Sequence, residues 1–259
     1  MFVGGNGHPV YTFTDRYGKI NPIMEITKII KRHQYKLALG ALLLTATLIS
    51  LALYRLYVHY SDVNNYRFLP FNLFLAWIPF AAAVAAYLAY HNRVTFFLFM
   101  PVCTLIWLVF FPNAPYLLTD FQHLATANGS TPLWFDVILL LGFAWTGLFL
   151  GVASLFLMQE IITQEWNSVV GWVFALAMTA VSSIGVYLGR FLRWNSWDLL
   201  RDPIPIAKDV YGIVRHPIAN LPGYIFTILF TLLFLFIYLA IHLLGQMISE
   251  GSERRAGSG

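Results

Sequence analysis

The amino-acid sequence predicts an all-α, polytopic integral membrane protein with about six transmembrane helices. Hydrophobic residues make up 59% of its 259 positions and the mean hydropathy is +0.67, while charged residues make up only 11%. A soluble domain carries about 25% charged residues, so most of this chain's surface must be compatible with lipid. The chain has a single cysteine, Cys103, which excludes an intrachain disulfide.

Six segments have the length and apolar composition of a membrane-spanning helix, which needs roughly 20 residues. The second segment contains Pro70 and Pro79 and the short third segment contains Pro101, so we expect bends in both. The predicted spans are residues 37–58, 69–90, 94–111, 136–158, 168–189 and 223–246.

Residues 1–36 form a head that we expect to lie in the cytoplasm. Within it, residues 25–36 alternate basic and apolar side chains at helical spacing, which predicts a juxtamembrane helix on an anionic leaflet. The head carries six Lys and Arg directly before the first span, so the positive-inside rule predicts that both termini are cytoplasmic. Residues 37–247 then form a single six-helix membrane domain, and residues 248–259 form a flexible tail.

Under this topology, polar residues collect on the non-cytoplasmic side. The long polar connections 59–72, 112–136 and 190–202 emerge there, whereas the cytoplasmic connections are short. Five cations between Arg190 and Arg215 oppose the usual charge bias, which indicates that something on this side requires them. Loops on a rigid scaffold often carry function, so we expect a polar and charged cavity that opens to this face.

The stretch FPNAPYLLTDFQHL, residues 111–124, predicts a break after the third span. We expect a short interfacial or re-entrant helix near 114–124, with Asn113 as its cap and Pro115 in its first turn. Such a break at membrane depth is tolerated only where it is buried in protein or lines a water-filled cavity. Helical spacing places four polar side chains on one face, which are Tyr116, Thr119, Asp120 and His123.

Asp120 and His123 can act as a hydrogen-bonded acid–base pair or as two ligands of a divalent metal ion. Asp136, at the start of the fourth span, is either a third metal ligand or an acid that favours the helix dipole. Asn72 lies in an apolar run and either bonds a neighbouring helix or lines the cavity. The alternative is an interfacial helix whose polar side simply faces water and headgroups.

A second polar cluster lies in GRFLRWNSWD, residues 189–198. If the helix continues, Arg190 and Arg193 share a face, and Trp194 and Trp197 follow one turn later for cation–π contacts. Arginine side chains also suit phosphate or carboxylate groups, and a desolvated Asp120 near the bilayer needs a partner, for which Arg190 and Arg193 are the nearest candidates. An aromatic belt with snorkelling arginines is the alternative, but it does not explain the interleaved polar residues, which are Asn195, Ser196 and Asp198.

Three stretches occur in order, NLFLAWIPF, FPNAPYLLTDFQHL and RFLRWNSWD. Together they resemble an uncharacterised bacterial family of multi-spanning membrane proteins, known only as a domain of unknown function. The resemblance covers about residues 40–245 and implies a multi-pass protein of the bacterial inner membrane, but no activity. The residues within the family's characteristic stretches are Asn72, Pro112, Asn113, Pro115, Tyr116, Thr119, Asp120, His123, Arg193, Trp194, Asn195, Trp197 and Asp198.

We expect a hydrolase or transferase that acts on a lipid or a lipid-linked anionic substrate at the non-cytoplasmic face. The candidate catalytic residues are Asp120, His123 and Asp198. The candidate substrate-binding residues are Arg190, Arg193, Trp194, Asn195, Trp197, Asn113, Tyr116 and Asn72. The candidate ligands of a divalent metal ion are Asp120, His123 and Asp136.

Two other classes of function remain open. The Asp cluster could attract a cation in a channel or transporter subunit, or the polar face could dock a partner in a non-catalytic assembly factor. The spans carry few ionisable residues away from the non-cytoplasmic end, which favours a one-sided site. Membrane lipid is the expected partner, and the net charge of +4 suits a membrane surface without indicating nucleic acid.

Overall fold

The computed structural model describes residues 22–61, 65–90, 93–126 and 131–256, with side chains described in 37–61, 65–90, 98–125 and 131–247. Most of the predicted head and the last residues of the predicted tail lie outside these ranges. The chain divides into two compact units, residues 1–44 and residues 45–259. All contacts discussed below lie within the second unit.

Every regular element in the described residues is helical, which confirms the predicted all-α class. The elements are α1 (Pro22–Tyr60), α2 (Leu69–Tyr90), α3 (Arg93–Phe110), α4 (Asn113–Tyr116), a 3₁₀ helix (Leu117–Thr126), α5 (Leu133–Glu165), α6 (Ser168–Phe191), α7 (Ser196–Arg201), α8 (Pro203–Arg215) and α9 (Leu221–Ala256). Six helical stretches are long and apolar enough to cross a membrane, as predicted, and they are Leu37–Tyr60, Leu69–Tyr90, Leu98–Ala125, Leu133–Glu165, Ser168–Phe191 and Leu221–Met247.

The helix α5 is the central helix of the bundle. Of its most apolar window 67% is buried, against 11–44% for the other candidate spans. Small residues allow this burial, because Gly147 faces the backbone of α4 so closely that a Cβ there would lie 2.7 Å from the carbonyl oxygen of Ala114. Such small residues let membrane helices approach one another closely. The short helix α4 therefore packs directly against α5.

The break after the third span is confirmed, but its local structure differs from the prediction. The helix α3 ends at Phe110, and the chain continues as α4 and then as a 3₁₀ helix, where an α-helix over 114–124 was expected. In a 3₁₀ helix the side chains at i and i+3 lie directly in one row. Asp120 and His123 are therefore stacked along one side of this segment, and the Thr119 hydroxyl donates to the Tyr116 carbonyl at 2.6 Å.

Asn113 does not cap α4, so this prediction was wrong. The preceding residue, Pro112, has helical dihedral angles and makes no side-chain cap hydrogen bond. The amide N–H of Ala114 bonds the carbonyl of Phe111, which leaves the carbonyl of Phe110 without its usual helical partner. The Nδ2 of Asn113 donates to this Phe110 carbonyl at 3.0 Å and to the Ser196 hydroxyl at 2.8 Å. Asn113 therefore repairs the break and ties it to α7.

Hydrogen bonds connect the carboxyl end of α5 to neighbouring helices. The buried hydroxyl of Tyr238, on α9, donates to Oε1 of Gln159. The Tyr87 hydroxyl donates to Oε1 of Glu160 at 3.3 Å. Because α6 begins directly after α5 ends, these contacts lie at the opposite end of the bundle from the last turn of α6, where Arg190 lies.

Candidate functional site

Arg190, in the last turn of α6, lies at the centre of the candidate site. Its Nη2 forms an ion pair with Oδ1 of Asp120, and the two side chains are only 6% and 1% exposed. Its Nε donates to the hydroxyl of Thr119 at 2.7 Å, and its Nη1 lies 3.2 Å from Nε2 of His123. Its guanidinium lies over the Tyr116 ring, 4.2 Å from the ring centroid. These five residues are called the Arg190 cluster below.

The expected ion pair between Asp120 and one of two arginines is therefore confirmed, and Arg190 is the partner. Two glycines of α6 make the approach possible. A Cβ at Gly185 would lie 2.5 Å from the Pro112 ring, and one at Gly189 would lie 3.3 Å from the Tyr116 ring. The broken segment thus lies close enough to α6 for the guanidinium to reach its polar row.

The contact with Arg190 fixes the protonation of His123. A guanidinium is always charged and has only donors, so Nε2 of His123 must be the acceptor in this contact. The imidazole is then neutral, with its proton on Nδ1. The ring also packs against Phe68, with 4.6 Å between the ring centroids. His123 is therefore held by an ionic neighbour on one side and an aromatic neighbour on another.

The second oxygen of Asp120 differs from the first. Oδ2 is buried and has no hydrogen-bond partner among the described residues. The half-buried side chain of Asn72, on α2, lies beside the same carboxylate, so this amide faces a neighbouring segment. A buried acceptor without a donor costs free energy, about 1–3 kcal/mol in proteins generally, and such groups in native structures call for an explanation.

The predicted Arg–Trp stack does not form as expected, because α6 ends at Phe191. Arg193 has a left-handed backbone with φ of 62°, a position that glycine usually takes after a helix. The arginines therefore do not share a helical face, and Arg190 stacks on Tyr116 instead. Arg193 is exposed at the surface.

The remaining residues of the second cluster organise α7 and its neighbours. Oδ2 of Asp198 accepts the backbone N–H and the side-chain Nδ2 of Asn195 at 2.8 and 3.0 Å, which is a capping arrangement at the start of α7. The Trp194 indole donates to Asp209 at 2.8 Å, and Trp197 packs near Phe71 with 6.0 Å between centroids. The catalytic role of Asp198 and the substrate-binding roles of Asn195, Trp194 and Trp197 stay predictions.

The predicted three-residue metal site does not assemble. The Arg190 guanidinium contacts both Asp120 and His123, so a cation already occupies their shared side. The carboxylate of Asp136 is directed elsewhere and accepts the Thr131 hydroxyl at 2.6 Å. Within the described ranges, no three His, Cys, Asp or Glu residues are grouped to hold a metal ion.

Asp136 also influences Tyr66, which lies in the turn before α2. Burial, with the nearby Asp136 carboxylate as a second cause, raises the pKa of Tyr66 to about 12. The Tyr66 hydroxyl nevertheless has no hydrogen-bond partner of good geometry among the described residues. Asp136 is therefore part of a separate buried contact between the start of α5 and this turn.

Sequence reasoning did not identify Gly185 and Gly189 as residues that shape the site. Their spacing in GVYLG, residues 185–189, is the small-residue pattern of closely packed membrane helices, so the signal was present. What the pattern did not reveal is that these glycines receive Pro112 and Tyr116 of the broken segment, because that segment's path depends on tertiary packing.

Comparison with known proteins gives a match to a protein family. No curated protein and no solved structure matches this chain. A family described as a protein of unknown function, DUF1361, matches residues 71–239, a range that includes the whole Arg190 cluster. Because this match covers more than half of the sequence, the chain belongs to the DUF1361 family.

Proposed function

We propose that this protein is a membrane-embedded hydrolase or transferase that acts on a lipid or lipid-linked anionic substrate, with the Arg190 cluster as its site. The observation that carries the proposal is the state of Asp120. One carboxylate oxygen is fixed by Arg190, and the other is buried beside the Asn72 amide, with no hydrogen bond of good geometry among the described residues. A carboxylate held in this way can accept a proton from a substrate hydroxyl or from a water nucleophile.

The other members of the cluster take supporting roles. His123 is neutral and carries its proton on Nδ1, so this N–H can donate a hydrogen bond to the leaving group, and the proton that Asp120 takes up can return to that group. Arg190 uses N–H groups on Asp120, His123 and Thr119, which makes it a positioning residue for the carboxylate. Arg193 is exposed three residues away and is the better candidate to bind an anionic group of the substrate.

We place this site on the non-cytoplasmic side of a bacterial inner membrane, with both termini in the cytoplasm. The six Lys and Arg before the first span support this orientation. Reporter fusions in the 127–130 connection and at the carboxyl terminus should report opposite sides of the membrane. The same side for both fusions would contradict the orientation.

The activity can be tested with Asp120→Asn in proteoliposomes that contain a bacterial total lipid extract. The amide keeps an acceptor for Arg190 but cannot take up a proton, so we expect lipid products of the wild type to be lost while the protein stays folded. Asp136→Asn is the matched control, because Asp136 is also buried but bonds Thr131 outside the cluster. Mass spectrometry of the lipids that shows no wild-type conversion, or equal conversion by Asp120→Asn, would contradict the proposal.

A transporter is the second candidate, and the broken third span favours it. Discontinuous helices line the substrate sites of many transporters, and short 3₁₀ segments often mark hinges. The break between α3 and the 3₁₀ helix lies directly beside a buried ion pair that could open and close. Ion flux into proteoliposomes that depends on Asp120, with no lipid conversion, would favour this candidate over the enzyme.

A further inference from the structure

The segment between α6 and α9 carries a second surface, which the Arg190 cluster does not use. The chain leaves one candidate membrane span at Phe191 and enters the next at Leu221. The helix α8 therefore lies on a connection whose two ends both join membrane-spanning helices. Such a connection stays close to the membrane surface, whichever side of the membrane it is on.

Two contacts hold α8 to the ends of these spans. The indole of Trp194, just after α6, donates to the Asp209 carboxylate at 2.8 Å. The hydroxyl of Tyr224, in the first turn of α9, donates to the carbonyl of Ile213 at 3.3 Å. Together these contacts set the position and the rotation of α8, so one of its faces is directed away from the protein.

That outward face is strongly apolar for an exposed helix. Ile204, Tyr211 and Val214 are 63%, 62% and 64% exposed, whereas Ile206 on the opposite side is 7% exposed. Three large apolar side chains on one short helix therefore remain mostly exposed. An apolar stripe of this kind is typical of helices that lie in a membrane interface.

Cations flank the apolar stripe, and the acids face elsewhere. Lys208 and Arg215 are exposed and follow Ile204 and Tyr211 by one helical turn, so they share the outward side. Asp209 is turned toward the protein by its bond to Trp194. Asp202, which precedes the helix, accepts the N–H of Ile204 at 3.3 Å as its cap. The exposed face therefore presents positive charge beside apolar surface.

We propose that the outward face of α8, formed by Ile204, Lys208, Tyr211, Val214 and Arg215, docks on anionic phospholipid of the adjacent leaflet. The apolar side chains enter the boundary between headgroups and acyl chains. Lys208 and Arg215 extend their apolar stems along the same surface and place their charges at the lipid phosphates. This inference does not depend on the proposed function of the Arg190 cluster.

Lipid is favoured over a soluble protein partner because of how α8 is attached. A protein partner would have to reach a face whose helix is tied at both ends to membrane spans, whereas lipid is already present at that level. The two occupants also predict different environments for Ile204. If the face docks on lipid, the Ile204 side chain is in contact with acyl chains. If the face instead binds a soluble protein, the side chain would be in water whenever that protein is absent.

The apolar part of the proposal is tested by placing a bimane label at Ile204. We would prepare Ile204→Cys in a Cys103→Ser background and reconstitute the full chain in nanodiscs of mixed phosphatidylcholine and phosphatidylglycerol. We expect quenching by brominated lipid and protection from aqueous iodide. A label that iodide quenches and brominated lipid does not would overturn the proposal. That result would mean that the face is in water in the purified protein, as expected if a soluble protein normally covers it.

The charged part is tested with the double variant Lys208→Ala/Arg215→Ala. In detergent, added phosphatidylglycerol should raise the Tm of the wild type more than added phosphatidylcholine does, and the double variant should lose this difference. Arg67→Ala is the matched control, because Arg67 is an exposed cation in another connection and should leave the difference unchanged. A double variant that keeps the full difference, or a control that loses it equally, would overturn the proposal.

Discussion

The two ends of this helix bundle bury different kinds of polar pair. At one end, Arg190 and Asp120 bury opposite full charges against each other. At the other end, Tyr238 and Gln159 bury a neutral hydroxyl and a neutral amide. A neutral pair can lose one partner at modest cost, whereas removing one member of a buried ion pair leaves an uncompensated charge. A single substitution should therefore reduce the stability of the protein most at the charged end.

The largest effect is expected from Asp120→Ala. This variant leaves the buried Arg190 guanidinium without its counter-ion, which typically costs 3–5 kcal/mol, so we expect about that loss of stability. The measurement is the fraction of protein that remains monodisperse after heating in detergent, followed by size-exclusion chromatography. Asp120→Asn should be milder, because an amide oxygen can still accept from the guanidinium.

A double-mutant cycle separates the pair from the individual residues. Asp120→Ala/Arg190→Ala should be less destabilised than the sum of the two single variants, because neither charge is then left unpaired. If the stability losses of the two single variants added up in the double variant, the two side chains would not be energetically coupled. The charged end would then resemble the neutral one.

The packing of the break should give the next largest effect. In Gly147→Ala the new methyl group would lie 2.7 Å from the Ala114 carbonyl oxygen and 2.8 Å from Leu117, so the break must shift. Overpacking of this kind costs about 1–3 kcal/mol. Gly212→Ala is the matched control, because a Cβ there meets nothing within 4 Å, and it should be neutral or slightly stabilising. Equal melting temperatures for both variants would show that the break is loosely packed.

The neutral end should respond less. Tyr238→Phe removes the hydroxyl that donates to Gln159, and we expect a loss of about 1 kcal/mol, as for other hydrogen bonds between membrane helices. Tyr60→Phe is the control, because Tyr60 is 70% exposed. If Tyr238→Phe destabilised the protein as much as Asp120→Ala, the proposed contrast between the two ends would be wrong.

The smallest effect is a dependence on alkaline pH at Tyr66. The folded protein raises the pKa of this tyrosine from its usual 10.0 to about 12, so between these values the folded state keeps a proton that the unfolded chain has lost. Its contribution to stability is complete below pH 10 and is lost as the pH rises toward 12. Tyr66→Phe should flatten this part of a plot of Tm against pH. Identical alkaline slopes for the variant and the wild type would contradict the assignment.

The sequence was sufficient to predict the parts of the structure that depend on solvation. The six spans follow from apolar length, and the pairing of Asp120 with an arginine follows from the cost of an isolated charge near lipid. The details that could not be predicted depend on local backbone geometry. Whether 117–126 is an α-helix or a 3₁₀ helix, and whether α6 ends at Phe191 or continues, are settled by small energy differences between similar hydrogen-bond patterns.

The separation of Asp120 and Arg190 in the chain, 70 residues, has a consequence for how the protein is made. The third span emerges from the ribosome long before α6, so at that moment the Asp120 carboxylate has no counter-ion. Inserting an unpaired Asp is opposed by up to about 2.5–3.5 kcal/mol on insertion scales, a value that applies to the centre of a membrane helix. We therefore expect the segment after Phe110 to stay in the headgroup region until α6 has been synthesised and can supply Arg190. We thus expect completion of the charged end to be a late step of biogenesis, and a chain truncated before Arg190 should leave this segment accessible to water-soluble reagents.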